Sequence, residues 1–286
     1  MYSQSITRTH RTAFVLLVDC SGSMAEEIGF RGELRPKAEV VAAICNELIF
    51  ELIERARRSE GVRNYYDLAL VGYGGRTEVF SLTGDREPRF TAIDELAMRT
   101  TEVEHRTIEV RRPDGSMALH RTATPCWMAP RAEGETPMLE AFRVARDLVK
   151  GWVGEERNRA SFPPIIFHIT DGEMTDGHPE ELRSVAEEIR SLATQDGHVL
   201  LINLHLASDE RGRTLLLPAA NEILPEQRNI ELLYALSSEL PSCFNELIDQ
   251  LKGVGGLPPY RAMCYNASAA ELLTVLDIGS ISVKTE

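Results

Sequence analysis

Apolar runs alternate with amphipathic stretches along most of this chain, and that alternation predicts parallel strands joined by helices. Residues 13–19 form a continuous apolar run ending in Asp19, which reads as a strand buried on both faces. Within 36–58, Val40, Val41, Ile44, Leu48, Ile49, Leu52 and Ile53 recur at helical spacing, with Pro36 acceptable in the first turn. A second strand is predicted over 66–73. Residues 78–82 follow it across Gly74-Gly75 closely enough to form a hairpin and hence an antiparallel edge.

Further along, the pattern predicts a helix over 136–152, a strand over 164–171, a helix over 180–192 and a strand over 199–207. Short helices near 230–236 and 244–251, a final strand near 261–265 and a closing helix over 269–276 complete the reading. No internal repeat or low-complexity tract is present. The expectation is one α/β domain spanning 1–286, with a core of about 12–278 and an insertion at about 84–135.

Composition narrows the function. With 43% hydrophobic and 26% charged residues the chain has enough apolar material for a sheet covered on both faces. A net charge of −13 argues against a nucleic-acid partner, because binding phosphates requires a cationic surface. No run approaches the roughly 18 uncharged residues of a membrane span, and residues 1–11 lack the apolar core of a signal peptide, so a cytoplasmic protein is expected. The five cysteines are widely spaced without a Cys-x-x-Cys pair, which makes a disulfide framework or zinc site a poor reading. Cys20 has no base beside it and reads as buried and inert.

Candidate chemistry gathers where strands end. Asp19-Cys20-Ser21-Gly22-Ser23 sets one carboxylate and two hydroxyls at alternate positions, an oxygen-only set suited to a hard divalent cation such as Mg2+. If the chain stays extended beyond the strand, all three side chains face the same way. Gly134-Glu135-Thr136-Pro137 adds a hydroxyl at a helix start, and Thr170-Asp171-Gly172 ends a second apolar strand in a carboxylate. Each element alone could be a cap or a turn. Together they bring three pieces of chain to one ion.

With these motifs in this order, the sequence resembles the von Willebrand factor A family and its metal-ion-dependent adhesion site. The family pattern falls on Asp19, Ser21, Ser23, Thr136 and Asp171. The resemblance implies a doubly wound, Rossmann-like, mainly parallel sheet in which the strands ending in Asp19 and Asp171 are neighbours at a switch point. It also implies that the hydroxyls bind Mg2+, or Mn2+, mainly directly, with the aspartates acting through water. Two carboxylates would balance the charge of the ion, and an open position would accept an Asp or Glu side chain from a protein partner. Family members can couple such binding to movement of the last helix, here 269–276.

A finer resemblance lies in Trp127-x-x-Pro130 before Gly134-x-Thr136-Pro137-Met138, in the Thr-Asp-Gly-x-x-Thr-Asp run of 170–176, and in Asn203-x-His205 leading to Ser237-Ser238 and Leu240-Pro241. These look like the bacterial branch associated with tellurium-resistance and stress operons. That branch implies a scaffold working beside a kinase or phosphatase.

Glu173 and Asp176 either support the metal from outside its ligands or are solvated loop acids that start the next helix. In the insertion, residues 108–119 alternate around Pro113-Asp114-Gly115 as a β-hairpin would, and Trp127 follows in an apolar patch. This segment either helps select the partner or extends the sheet edge with Trp127 in the core.

Enzymatic alternatives find less support. No Gly-x-x-x-x-Gly-Lys precedes the first strand, and residues 19–23 depart from a serine-hydrolase elbow. His168 lies within a strand and is expected in packing, and His178 is on a loop. A Mg2+-dependent hydrolase or phosphatase using the same site is the remaining rival, and no general base for it is evident.

Overall fold

The computed structural model describes residues 2–76, 78–99, 102–111, 117–206, 213–222, 224, 227–253 and 257–281. The first strand, β1 (Thr12–Asp19), is buried along its whole length. It is followed by a hairpin of β2 (Glu27–Phe30) and β3 (Glu33–Pro36), the long helix α1 (Lys37–Ala56), a short pair β4 (Arg57–Arg58) and β5 (Gly61–Val62), and the equally buried β6 (Tyr66–Gly74). Then come β7 (Glu78–Ser81), β8 (Thr91–Ala92), α2 (Ile93–Met98) and the strands β9 (Glu102–Arg111) and β10 (Met117–Cys126). The second half alternates α3 (Met138–Gly154), β11 (Ile165–Thr170), α4 (Pro179–Ser191), β12 (Leu200–Leu206) and β13 (Leu215–Leu216). It closes with α5 (Arg228–Leu236), α6 (Asn245–Lys252), β14 (Met263–Ala267) and α7 (Ala269–Ile281).

One sheet organises these elements, in the order β13-β14-β12-β11-β1-β6-β7, with β8 also pairing with β6. The five strands from β14 to β6 run parallel, whereas β7, β8 and β13 are antiparallel. The sequence pointed to one antiparallel edge; the structure has one at each side. At two residues, β13 is too short to leave a period-2 pattern.

Side-chain alternation divides the core into two layers. Phe14, Leu16 and Val18 pack with α1 residues such as Val41, Ile44 and Leu48. Val15 and Leu17 face the opposite way, against Met138, Phe142 and Val149 of α3 and Leu182 of α4. Burying each large apolar side chain contributes about 1.5–3 kcal/mol, so both layers hold β1 in the middle of the sheet. From there the chain runs through α1 to β6 on one side, while β11 runs through α4 to β12 on the other. A crevice therefore opens beyond the carboxyl ends of β1 and β11.

Three departures from the sequence reading have local causes. The hairpin after Ser23 leaves no pattern in the sequence; only Ile28 and Phe30 of its residues are buried, too few to set a period. The last strand lies two residues later than expected, because the backbones of Arg261 and Ala262 bond to Pro218 and Ser238. In the insertion, β9 and β10 pair over ten residues each, but with one another rather than with the main sheet, and the expected turn at Pro113-Asp114-Gly115 lies outside the described residues. Trp127 is core: its backbone N–H donates to Asn46 Oδ1 at 2.8 Å and its indole N–H to the Leu96 carbonyl at 2.8 Å.

His168 sits in the α3-facing layer, as expected of a packing residue, and is fully buried. Its Nδ1 lies 2.8 Å from Asn203 Oδ1 and its Nε2 lies 2.7 Å from the Tyr73 hydroxyl. Asn203 in turn donates to Ser237 Oγ at 2.9 Å. Because the Asn203 oxygen accepts, the network assigns the proton to Nδ1 and leaves Nε2 to accept from Tyr73. Burial lowers the His168 pKa to about 4, against a raising hydrogen bond from Asn203.

The unfolded chain therefore takes up a proton below about pH 6.5, where the folded chain does not, so this group's contribution is present at neutral pH and is lost as pH falls toward 4. The full loss is on the order of 3 kcal/mol. Urea unfolding of the protein and of His168→Gln between pH 4 and 7.5 is expected to show wild type losing stability faster on acidification. Parallel curves would contradict this account of His168.

Candidate metal centre

At the end of β1 the chain turns instead of remaining extended. The Ser21 backbone N–H donates to Asp19 Oδ1 at 2.8 Å, and Gly22–Ala25 form a short 3-10 turn. Ser23 is thus brought round by a helical turn, not by strand alternation as expected. Ser21 Oγ and Ser23 Oγ lie 3.1 Å apart, and the Ser23 hydroxyl donates to Asp171 Oδ1 at 2.6 Å. From the neighbouring strand, the Thr170 hydroxyl donates to Asp19 Oδ2 at 2.7 Å. The parallel register of β1 with β11, Val18 opposite Ile169, sets the two motif ends side by side.

Backbone hydrogen bonds bring in the third segment. Glu133 N–H donates to the Cys20 carbonyl at 2.7 Å, Gly22 N–H to Gly134 at 2.9 Å, and Gly75 N–H to Glu133 at 2.8 Å. Gly134 has φ +76°, and a Cβ placed there would lie 2.1 Å from the Gly75 oxygen. Only glycine allows this approach of three loops. A Cβ built on Gly172 would lie 3.6 Å from Ser23 Oγ and 3.7 Å from Thr136 Oγ1, so both hydroxyls border the same spot. All five sequence-designated residues, Asp19, Ser21, Ser23, Thr136 and Asp171, meet at this mouth.

Asp176 caps α3 and does not start the next helix. Its two carboxylate oxygens accept from Leu139 N–H and Glu140 N–H, each at 2.9 Å, capping the N-terminus of α3. Together with the Thr136 N–H, which donates to the Thr175 hydroxyl at 2.9 Å, and the Thr175 N–H, which donates to the Thr136 carbonyl at 3.0 Å, this cap fixes Thr136 against the Asp171 loop. Glu173 accepts from Asn229 at 2.8 Å.

Lys37 lies outside the sequence motifs of the mouth. Its side chain is 1% exposed, and Nζ lies 2.7 Å from both Asp171 Oδ2 and Glu26 Oε2. The chain has only four lysines, at 37, 150, 252 and 284, and this one stands at the first turn of α1. Nothing local marks it as buried; the fold does that. The expected balance of two carboxylates against a dication is therefore altered, since an ammonium already offsets one of them.

The electrostatics of the mouth follow from burial. Asp19 is 1% exposed, and loss of water raises its pKa to about 6, opposed by hydrogen bonds from Ser21 and Thr170. Burial likewise pushes the Cys20 thiol up to about 12, which agrees with an inert thiol. No group of three or more His, Cys, Asp or Glu side chains able to hold a metal occurs among the described residues. Any ion here would depend on hydroxyls.

The hydroxyl geometry fits a small hard cation. Neighbouring ligands of an octahedral ion with bonds of about 2.1 Å are roughly 3.0 Å apart, close to the Ser21–Ser23 separation. With the Ser23 proton given to Asp171, both serine oxygens keep lone-pair capacity for a cation. Ser21, Ser23 and Thr136 would hold the ion, with Asp19 and Asp171 behind them.

Gly134→Ala is expected to lower stability by roughly 2–4 kcal/mol, because it combines a left-handed backbone with a backbone clash. Denaturant titration checks this. A loss below about 0.5 kcal/mol, the range of an ordinary surface substitution, would show that the three-loop junction is not the constraint described.

No protein-family model and no curated protein matches the sequence. Solved structures do. The pilus adhesin SpaC from Lactobacillus rhamnosus GG matches with a TM-score of 0.53 at 12% identity, over 98% of this chain and 31% of that one. A von Willebrand factor type A protein from Catenulispora acidiphila matches at 13% identity, over 70% of this chain and 34% of that chain, with a TM-score of 0.41. The vWF domain of the type V pili tip protein Mfa5 from Porphyromonas gingivalis matches at 15% identity, over 65% and 43%, with a TM-score of 0.34. The chain thus spans less than half the length of each of these structures. At such identities the likeness is one of fold, here an α/β fold with a mainly parallel, helix-flanked sheet and antiparallel edges.

Proposed function

We propose that this chain is a metal-dependent protein-docking module, in which Ser21, Ser23 and Thr136 hold Mg2+ or Mn2+ before Asp19 and Asp171. The ion would supply an open coordination position to an Asp or Glu side chain of a partner. The observation that carries this reading is the convergence of the Ser21, Ser23 and Thr136 hydroxyls beside two buried carboxylates, with the Ser23 proton committed to Asp171. A carboxylate is the fitting occupant because a full negative charge replaces water with a stronger, charge-assisted contact.

Binding without turnover is favoured by the surroundings of the mouth. A hydrolase would need a base within reach of a metal-bound water, whereas His168 is committed to Tyr73 and Asn203. His178 precedes α4 on a loop. The finer resemblance to the tellurium-resistance branch adds a kinase or phosphatase of the same stress system as a candidate partner. Cys20, Cys45 and Cys264 are buried thiols, which accords with the cytoplasmic setting proposed here. No helix among the described residues is long and apolar enough to cross a membrane.

Isothermal titration with Mg2+ and Mn2+ is expected to show one saturable site that is lost in Asp19→Ala and weakened at least about tenfold in Ser23→Ala. Affinity capture from the native cell should then recover proteins that disappear both with chelator and with Asp19→Ala. An absence of metal uptake by the folded wild type would remove the reading. Turnover of a phosphoester or another hydrolysable substrate, abolished by Asp19→Ala, would replace it with the hydrolase.

A further inference from the structure

We infer that Lys37 is a built-in counter-cation of this site, one that weakens its hold on a divalent ion and lets the folded chain do without one. The inference rests on the metal-site reading above and concerns a residue outside the five-residue motif. Asp171 has its two oxygens divided: Oδ1 accepts from Ser23, on the side of the hydroxyl cluster, and Oδ2 meets Lys37 Nζ at 2.7 Å. The Asp171 carboxylate has no solvent exposure, and the ammonium has almost none. Lys37 therefore approaches from behind the carboxylate and leaves the hydroxyl side open.

The charge sum decides the consequence. Asp19 and Asp171 give −2, and Lys37 brings the buried set to −1, with the outer partner Glu26 61% exposed and screened by water. A cation entering the mouth is repelled by a positive charge one carboxylate away, in a medium where such terms are not screened as in bulk water. Without that charge, the buried Asp171 would keep the Ser23 hydroxyl but lose its cationic partner, a destabilising state that a divalent ion would relieve. Lys37 thus exchanges metal affinity for stability of the metal-free fold, and makes loading depend on the ion concentration instead of being permanent.

The backbone supports this assignment. Lys37 is the first residue of α1, and its N–H donates to the Glu26 carbonyl at 2.8 Å, closing the base of the β2–β3 hairpin. Main chain and side chain both fasten it between Glu26 and Asp171. Its Nζ cannot swing into solvent without breaking two contacts of 2.7 Å.

Lys37→Met and Glu26→Gln separate the effects. Methionine keeps an unbranched apolar stem and removes the charge, whereas Glu26→Gln leaves Lys37 in place with less compensation. In Mn2+ titrations followed by electron paramagnetic resonance, Lys37→Met is expected to bind roughly tenfold or more tighter than wild type, and Glu26→Gln somewhat weaker. In thermal unfolding, Lys37→Met should melt below wild type in chelator and gain more from added Mg2+. A purely structural lysine would lower the melting temperature without tightening the ion. Unchanged or weaker Mn2+ affinity in folded Lys37→Met overturns the inference alone, as does tighter binding in Glu26→Gln. Absence of binding in wild type and both variants overturns the metal site with it.

Discussion

Asp19 and Asp171 stand at the ends of neighbouring parallel strands, nearly shut off from water, and charges so placed must be met by donors or neutralised. Everything at this end of the sheet answers that constraint. The Ser21 backbone and the Thr170 hydroxyl donate to Asp19, and the Ser23 hydroxyl and the Lys37 ammonium to Asp171. The loop after β1 cannot remain extended, because it has to bend to deliver two of those donors. What reads as a ligand motif is thus also the hydrogen-bonding shell of two buried carboxylates.

The shell is held by backbone more than by side chains. Cys20, Gly22, Gly75, Glu133 and Gly134 exchange main-chain hydrogen bonds across three loops, and Asp176 ties the α3 N-terminus to the loop carrying Asp171. Such bonds leave little freedom for the hydroxyl oxygens to drift. Below the mouth, the buried series Tyr73–His168–Asn203–Ser237 crosses the sheet to α5 and satisfies polar groups that would otherwise be costly there. The inserted hairpin joins the fold elsewhere, through Trp127 and Asn46, on the face covered by α1. Selection of a partner by the insertion, one of the two sequence readings of this segment, gains nothing from the placement of Trp127.

The sequence by itself determined the alternation of strands and helices and the order of the motif pieces, because both are local patterns: continuous apolar runs, helical spacing, and oxygen-bearing residues at strand ends. It also identified the five residues of the mouth, since Asp19 and Asp171 end strands whose burial is written in their neighbours. Tertiary structure decided the rest. Lys37 looks like an ordinary surface charge until α1 is packed, the cap that Asp176 gives to α3 appears only once the 170–176 loop is placed, and β8, β13 and the β2–β3 hairpin are too short to show a period. Ser23 reaches the site by a turn whose direction is set by bonds to a loop more than a hundred residues away. Periodicity records which face of an element is buried, but the partners of a buried charge come from distant segments, and only the packed chain brings them together.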